Sequence, residues 1–139
     1  MGQARKREDR TWDLEERLLE YSAEVVKLTE KLPKTRAGNH VGGQLLRSGT
    51  SSYLNHGEAE GAESRRDFVH KMGVCLKELR ESLRALRLIE RVPLMDPPSA
   101  VRPLLQETDE LIRIFRTSIR TAQAKLDRGD DDSHEADRS

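Results

Sequence analysis

The stretch Ser64-Arg65-Arg66-Asp67-Phe68-Val69-His70-Lys71-Met72-Gly73-Val74-Cys75-Leu76-Lys77-Glu78-Leu79-Arg80-Glu81-Ser82-Leu83-Arg84-Ala85-Leu86-Arg87-Leu88-Ile89-Glu90-Arg91 decides the fold class. Phe68, Met72, Cys75, Leu79, Ser82, Leu86 and Ile89 recur at alternating steps of four and three, the spacing that lines side chains along one face of an α-helix. Val69, Leu76 and Leu83 widen that stripe. Ser64 and Asp67 have the spacing of a capping box, in which a serine hydroxyl accepts from the backbone N–H three residues on and the acid reaches back. The helix therefore starts at Ser64 and runs to about Arg91, where Val92-Pro93 and Asp96-Pro97-Pro98 stop it.

The same period continues outward in both directions. Leu14, Leu18, Tyr21, Val25, Leu28 and Leu32 predict a helix from about Thr11 to Leu32, ended by Pro33. A second helix is expected over roughly 39–62, with few large apolar residues. A fourth, with Pro103 near its start, carries Leu104, Thr108, Leu111, Phe115, Ser118, Ile119, Ala122 and Leu126 inward. Four amphipathic helices with short connections and no strand-like alternation predict an all-α fold, an up-down-up-down antiparallel four-helix bundle over 11–126. Residues 1–10 read as a flexible charged arm and 127–139 as a disordered acidic tail.

Composition sets the outer limits. The chain has 139 residues, 35% hydrophobic, 36% charged and 4% aromatic, which fits one small helical domain and argues against base-stacking platforms of the RNA-recognition or OB type. One cysteine, Cys75, permits no internal disulfide and no cysteine-based zinc cluster. The polar opening residues 1–7 and the lack of any run near the roughly 20 apolar residues that span a bilayer lead us to expect a cytoplasmic protein without membrane association. The formal charge is zero, from 25 basic and 25 acidic residues. It is segregated: the tail holds six acids against two arginines, a net of −4, which leaves 23 basic against 19 acidic residues in 1–126, a net of +4.

Gln44-Leu45-Leu46-Arg47-Ser48-Gly49-Thr50-Ser51, then Asn55, Glu58-Ala59 and Ala62-Glu63-Ser64-Arg65-Arg66-Asp67-Phe68, resemble the signature of the four-helix-bundle proteins encoded in intervening sequences of bacterial large-subunit ribosomal RNA genes. The run Lys71 to Ser82 looks like that family's third helix, and the resemblance extends over about residues 14–126. His56 and Ala59 depart from it, at positions where members often carry an apolar residue and a glycine, and the aromatic residue common near Ala85-Leu86 is missing. The resemblance implies a ring-shaped homopentamer. Through the related accessory protein of diversity-generating retroelements it also implies nucleic acid, RNA or DNA, and a reverse transcriptase or other protein as partners.

Two constellations carry candidate function. Gln44, Arg47, Ser51, Asn55 and Glu58 step by three or four along the second helix and share one strip. Their polar groups suit either a ligand or nucleic-acid pocket or a polar inter-helix network that fixes register inside the bundle, with Lys77, Glu78 or Glu81 as candidate partners of the charged members. On the third helix Arg66, Lys77, Arg80, Arg84, Arg87 and Arg91 fall within roughly 80° of arc that holds no acid, opposite the core stripe, over a length of about 38 Å. Guanidinium forks grip phosphate oxygens in pairs at any physiological pH, so this ridge is the candidate nucleic-acid-binding surface; the alternative is a solvated face, or one that joins subunits or a protein partner. Arg113, Arg116 and Arg120 of the fourth helix are placed to extend it, and the acidic tail to compete for it.

Catalysis finds no comparable pattern. The histidines His40, His56, His70 and His134 form no metal-ligand set, and no nucleophile elbow, phosphate-binding loop or dinucleotide fingerprint occurs, so neither an enzyme nor a cofactor or metal site is expected. Cys75 occupies a core position, where a thiol behaves as a small hydrophobe.

Overall fold

The computed structural model describes residues 7–129, with side chains from Asp13 onward. Four helices account for nearly all of them: α1 (Arg7–Glu30), α2 (Arg36–Glu60), α3 (Arg65–Arg91) and α4 (Arg102–Asp127), with a one-turn 3-10 helix at Pro98–Val101. No strand occurs among the described residues, and no described helix is long and apolar enough to cross a membrane. Helix α1 begins at Arg7, so the last four residues of the expected arm are helical, while the acidic residues from Asp130 lie outside the described part.

Local chemistry sets the ends. Ser64 caps α3, its Oγ accepting from the Asp67 N–H at 3.0 Å, and the Asp67 carboxylate accepts from the Glu63 N–H at 3.3 Å, one residue further back than the standard box. Thr35 does the same for α2, accepting from the Gly38 N–H at 3.0 Å, so this helix starts three residues earlier than periodicity suggested. Pro103 falls in the first turn of α4, where its missing N–H costs no intrahelical bond.

The helices pack in chain order, α1 on α2, α2 on α3 and α3 on α4, with α4 touching α1. Leu18, Tyr21 and Val25, Leu45, Met72, Cys75, Leu79, Leu86 and Ile89, and Leu111 and Phe115 form one core, buried at the predicted stripe positions of α1, α3 and α4. Phe68 is the exception on α3, only partly buried at the helix start. Helix α2 contributes differently. Its buried face is Gly38, Gly42, Leu45, Ser48, Gly49, Ser52, His56 and Ala59, with a single large aliphatic residue. Small side chains let its neighbours close in: a Cβ on Gly49 would lie 2.7 and 2.9 Å from the two methyl carbons of Val25. Ser22 Oγ donates to the Gly49 carbonyl at 3.1 Å across the same contact.

Most of the interior polar groups among the described residues are hydroxyls, the others being His56 and Arg65. Ser48 of α2 and Ser82 of α3 are 2.7 Å apart, and Tyr21 of α1 and Thr108 of α4 are also 2.7 Å apart. Burial pushes the Tyr21 phenol up, against the hydrogen bonds of Thr108 and Ser82 that favour its ionised form. One small hydroxyl cluster therefore draws a residue from each of the four helices, and a register shift of any helix would break a hydrogen bond between buried hydroxyls.

Candidate nucleic-acid interface

The ridge on α3 depends on how the helix disposes its acids. Asp67 pairs with Lys71 at 3.0 Å, one turn on. Glu78 and Glu81 both engage Arg47 of α2, Glu78 at 3.2 Å, and Glu90 engages Arg102 of α4. Every acid of α3 is thus tied to a cation outside the ridge. Lys77, Arg80, Arg84, Arg87 and Arg91 are exposed, and among the described residues none of them has a carboxylate within ion-pair distance. Arg66 is also exposed, near the helix start. The core stripe on the opposite face fixes the rotation of α3, which is why these cations face outward together.

Helix α4 adds to this surface. Arg116 and Arg120, both exposed, line a groove of about 400 Å³ between the two helices with Ile119, Gln123, Ala124 and Asp127 of α4 and Leu76 of α3. Arg113 is held by Asp109, 2.6 Å away within its own helix. At the far end of the ridge Arg87, Glu90, Arg91, Pro98, Ser99 and Arg102 surround a cleft of about 540 Å³. Sequence reasoning left Arg102 out, because it follows the proline-rich connection and belongs to no helical stripe; only the fold back of α4 onto α3 brings it beside Glu90.

The polar strip of α2 requires a correction. Gln44, Arg47 and Glu58 are exposed and Ser51 and Asn55 half-buried, so the strip runs along the rim of the helix and does not face the core. Only Arg47 makes the anticipated cross-helix contacts, to Glu78 and Glu81; the hydrogen bond to Glu81 and the charge of Glu78 raise its already high pKa. The reason is steric. The inner face of α2 is the glycine and serine face, which admits α1 and α3 closely, and the longer polar side chains are turned away from it.

The remaining chemistry-bearing groups are buried or scattered. Burial pushes the Cys75 thiol up to about 12, which keeps it protonated and unreactive. His56 is 1% exposed, its ring set edge-on to Phe115 at 5.9 Å. Its Nδ1 has no hydrogen-bond partner; Glu15 stands 3.8 Å from Nδ1 and Glu60 3.7 Å from Nε2. Burial lowers its pKa against the pull of Glu60 and Glu15, so the ring is neutral at pH 7. Among the described residues no group of three or more histidine, cysteine, aspartate or glutamate side chains is placed to hold a metal ion. His134 lies outside them.

Comparison with known proteins bears on this surface through the fold. No curated protein matches the chain. A crystal structure of a protein of unknown function from the S23 ribosomal protein family of Bacteroides thetaiotaomicron is similar, with a TM-score of 0.71 at 29% identity, covering 76% of this chain and 97% of that one. The profile of the 23S rRNA-intervening sequence proteins matches residues 11–117, from α1 well into α4. With that match across most of its length, and a related structure of the same helical architecture, the chain belongs to the 23S rRNA-intervening sequence protein family.

Proposed function

We propose that this protein is a non-enzymatic, cytoplasmic nucleic-acid-binding protein that grips phosphate along the outer face of α3, with Arg66, Lys77, Arg80, Arg84, Arg87 and Arg91 as contacts and RNA, or a protein–RNA assembly, as partner. One observation carries the reading: the acids of α3 are all engaged elsewhere, so five cations on one face stand uncompensated. A polyanion supplies the missing charge, and release of its counterions drives the association. The family's description as rRNA-intervening sequence proteins agrees with a nucleic-acid context without naming a ligand.

Assembly into a homo-oligomeric ring, a pentamer by resemblance, is part of the proposal. What supports self-association is the exposure of large apolar residues, Leu19 and Val26 on α1 and Leu46 and Leu54 on α2, with Leu88 and Val92 at the end of α3. A ring built through α1 and α2 would leave the ridge on α3 free, repeat it around the assembly and multiply weak phosphate contacts.

A salt-titrated binding assay with fluorescent RNA tests the function. The triple variant Arg80→Glu, Arg84→Glu, Arg87→Glu should bind at least about 100-fold more weakly, and the slope of log affinity against log salt should flatten by about two for a single strand. Wild-type affinity in that variant, or no binding by the native chain at low salt, rejects the reading. A change of oligomer mass in the variant by light scattering, without any nucleic-acid binding by the native chain, would assign the ridge to subunit or protein contacts.

A further inference from the structure

The cleft at the end of the ridge differs in kind from the ridge itself. Along α3, Lys77, Arg80 and Arg84 stand about one per turn, a spacing suited to singly charged internal phosphates met one at a time. At the last turn of α3 three arginines converge: Arg87 and Arg91, four residues apart on one face, and Arg102 from the start of α4. Their single acid, Glu90, accepts from Nε of Arg102, a contact that holds the guanidinium in place and leaves its two terminal nitrogens without a carboxylate partner. Arg87 and Arg91 have no carboxylate partner among the described residues. Three guanidiniums against one carboxylate leave the cleft with two positive charges. Like charges at i,i+4 repel, and an anion placed between them removes that penalty. Pro98 and Ser99 form the remaining wall, one rigid and the other offering a hydroxyl donor, and together they close the end of the path along α3.

We propose that this cleft receives a terminal phosphate monoester, held by Arg87, Arg91, Arg102 and Ser99. A monoester approaches two negative charges near neutral pH, which matches the cleft, whereas an internal diester carries one. The two sources of such a group are the phosphorylated end of a strand lying along α3 and a free mononucleotide. The first source rests on the function proposed above; the second does not.

Both sources are tested with the full-length chain. One RNA sequence of about 12 nucleotides is compared with a 5′-phosphate, a 3′-phosphate and hydroxyl ends by fluorescence polarisation at about 100 mM salt, and a nucleoside 5′-monophosphate is compared with its nucleoside and with inorganic phosphate by calorimetry. A terminal phosphate on one end should tighten RNA binding by about 10-fold, close to the worth of one charge-assisted hydrogen bond. Arg102→Gln and the exposed-hydroxyl variant Ser99→Ala should each reduce that increment and leave the affinity of hydroxyl-ended RNA within about 2-fold, with unchanged circular dichroism. Lys77→Glu with Arg80→Glu should weaken both RNAs equally and keep their ratio. Equal affinity for phosphate and hydroxyl ends, with RNA binding intact and the monophosphate ignored, overturns the cleft and leaves the ridge. Monophosphate binding that needs Arg102, with no RNA binding at all, overturns the ridge and supports the cleft. A phosphate increment that survives both cleft variants, or no binding of any probe, overturns the cleft proposal.

Discussion

Helices α2 and α3 lie side by side and have similar lengths, 25 and 27 residues, yet they use their side chains in opposite ways. Helix α2 is informative on its inner face, where Gly49, Ser48 and Ser52 let α1 and α3 approach. Helix α3 is informative on its outer face, where a conventional apolar stripe behind it frees the opposite side for charge. The two meet at Arg47, which draws Glu78 and Glu81 toward α2 and so helps clear acids from the ridge. The difference separates two kinds of specificity. Changes inside α2 should alter stability and leave phosphate contacts alone, and changes outside α3 should do the reverse.

The largest effect expected is at Gly49. Valine there places a Cβ under 3.0 Å from both methyl carbons of Val25, before its own methyl groups are counted, in a contact fixed by the Ser22 hydrogen bond. Overpacking of this kind costs about 3 kcal/mol, so the urea midpoint should fall sharply with little change in slope. The ridge triple variant provides the converse, with stability within about 0.5 kcal/mol of native, because exposed side chains without ion-pair partners contribute little to the folded state. A large loss of stability in that variant would show that the outer face of α3 holds the fold together and would end the contrast.

Next in size is the hydroxyl cluster. Ser82→Ala removes the partner of Ser48 in a buried site and should cost about 1 to 2 kcal/mol in chemical denaturation. Ser48→Ala combined with it should cost less than the two single changes added together, since each alone already breaks the hydrogen bond that the two hydroxyls share. Additive costs would mean that the two serines act independently and that α2 is positioned by steric fit alone.

How much of this could be read from the sequence follows the same division. The stripes of α1, α3 and α4 were legible because large apolar residues at four- and three-residue steps have one favourable rotation, and an acid-free sector opposite such a stripe can only face outward. Ser64 announced the start of α3 because a cap is a local arrangement. The rotation of α2 was not legible. Its inner face carries glycine and serine, which give hydropathy no direction, so the ordered polar strip Gln44 to Glu58 drew attention to the wrong side. The cleft was hidden for another reason: Arg87 and Arg102 are fifteen residues apart across a proline-rich connection, and tertiary folding alone unites them.

His56 gives the smallest effect, and the one that separates burial from charge within α2. The ring is almost wholly buried with Nδ1 unpartnered, so His56→Leu removes an unsatisfied polar atom at similar volume and should stabilise the fold by about 1 kcal/mol near pH 7. Its dependence on pH is more diagnostic. An unfolded histidine takes up its proton near pH 6.5, whereas burial lowers the folded value below that, partly offset by Glu60 and Glu15. As pH falls through 6.5 the unfolded state binds more protons than the folded state, so the native chain loses stability there, and His56→Leu should lose less. Urea midpoints measured between pH 7.5 and about pH 5 should therefore diverge, with the variant increasingly the more stable. Parallel curves would mean that Glu15 and Glu60 fully compensate the burial of the charged ring, and the inner face of α2 would then be held partly by charge, weakening the steric account given for that helix.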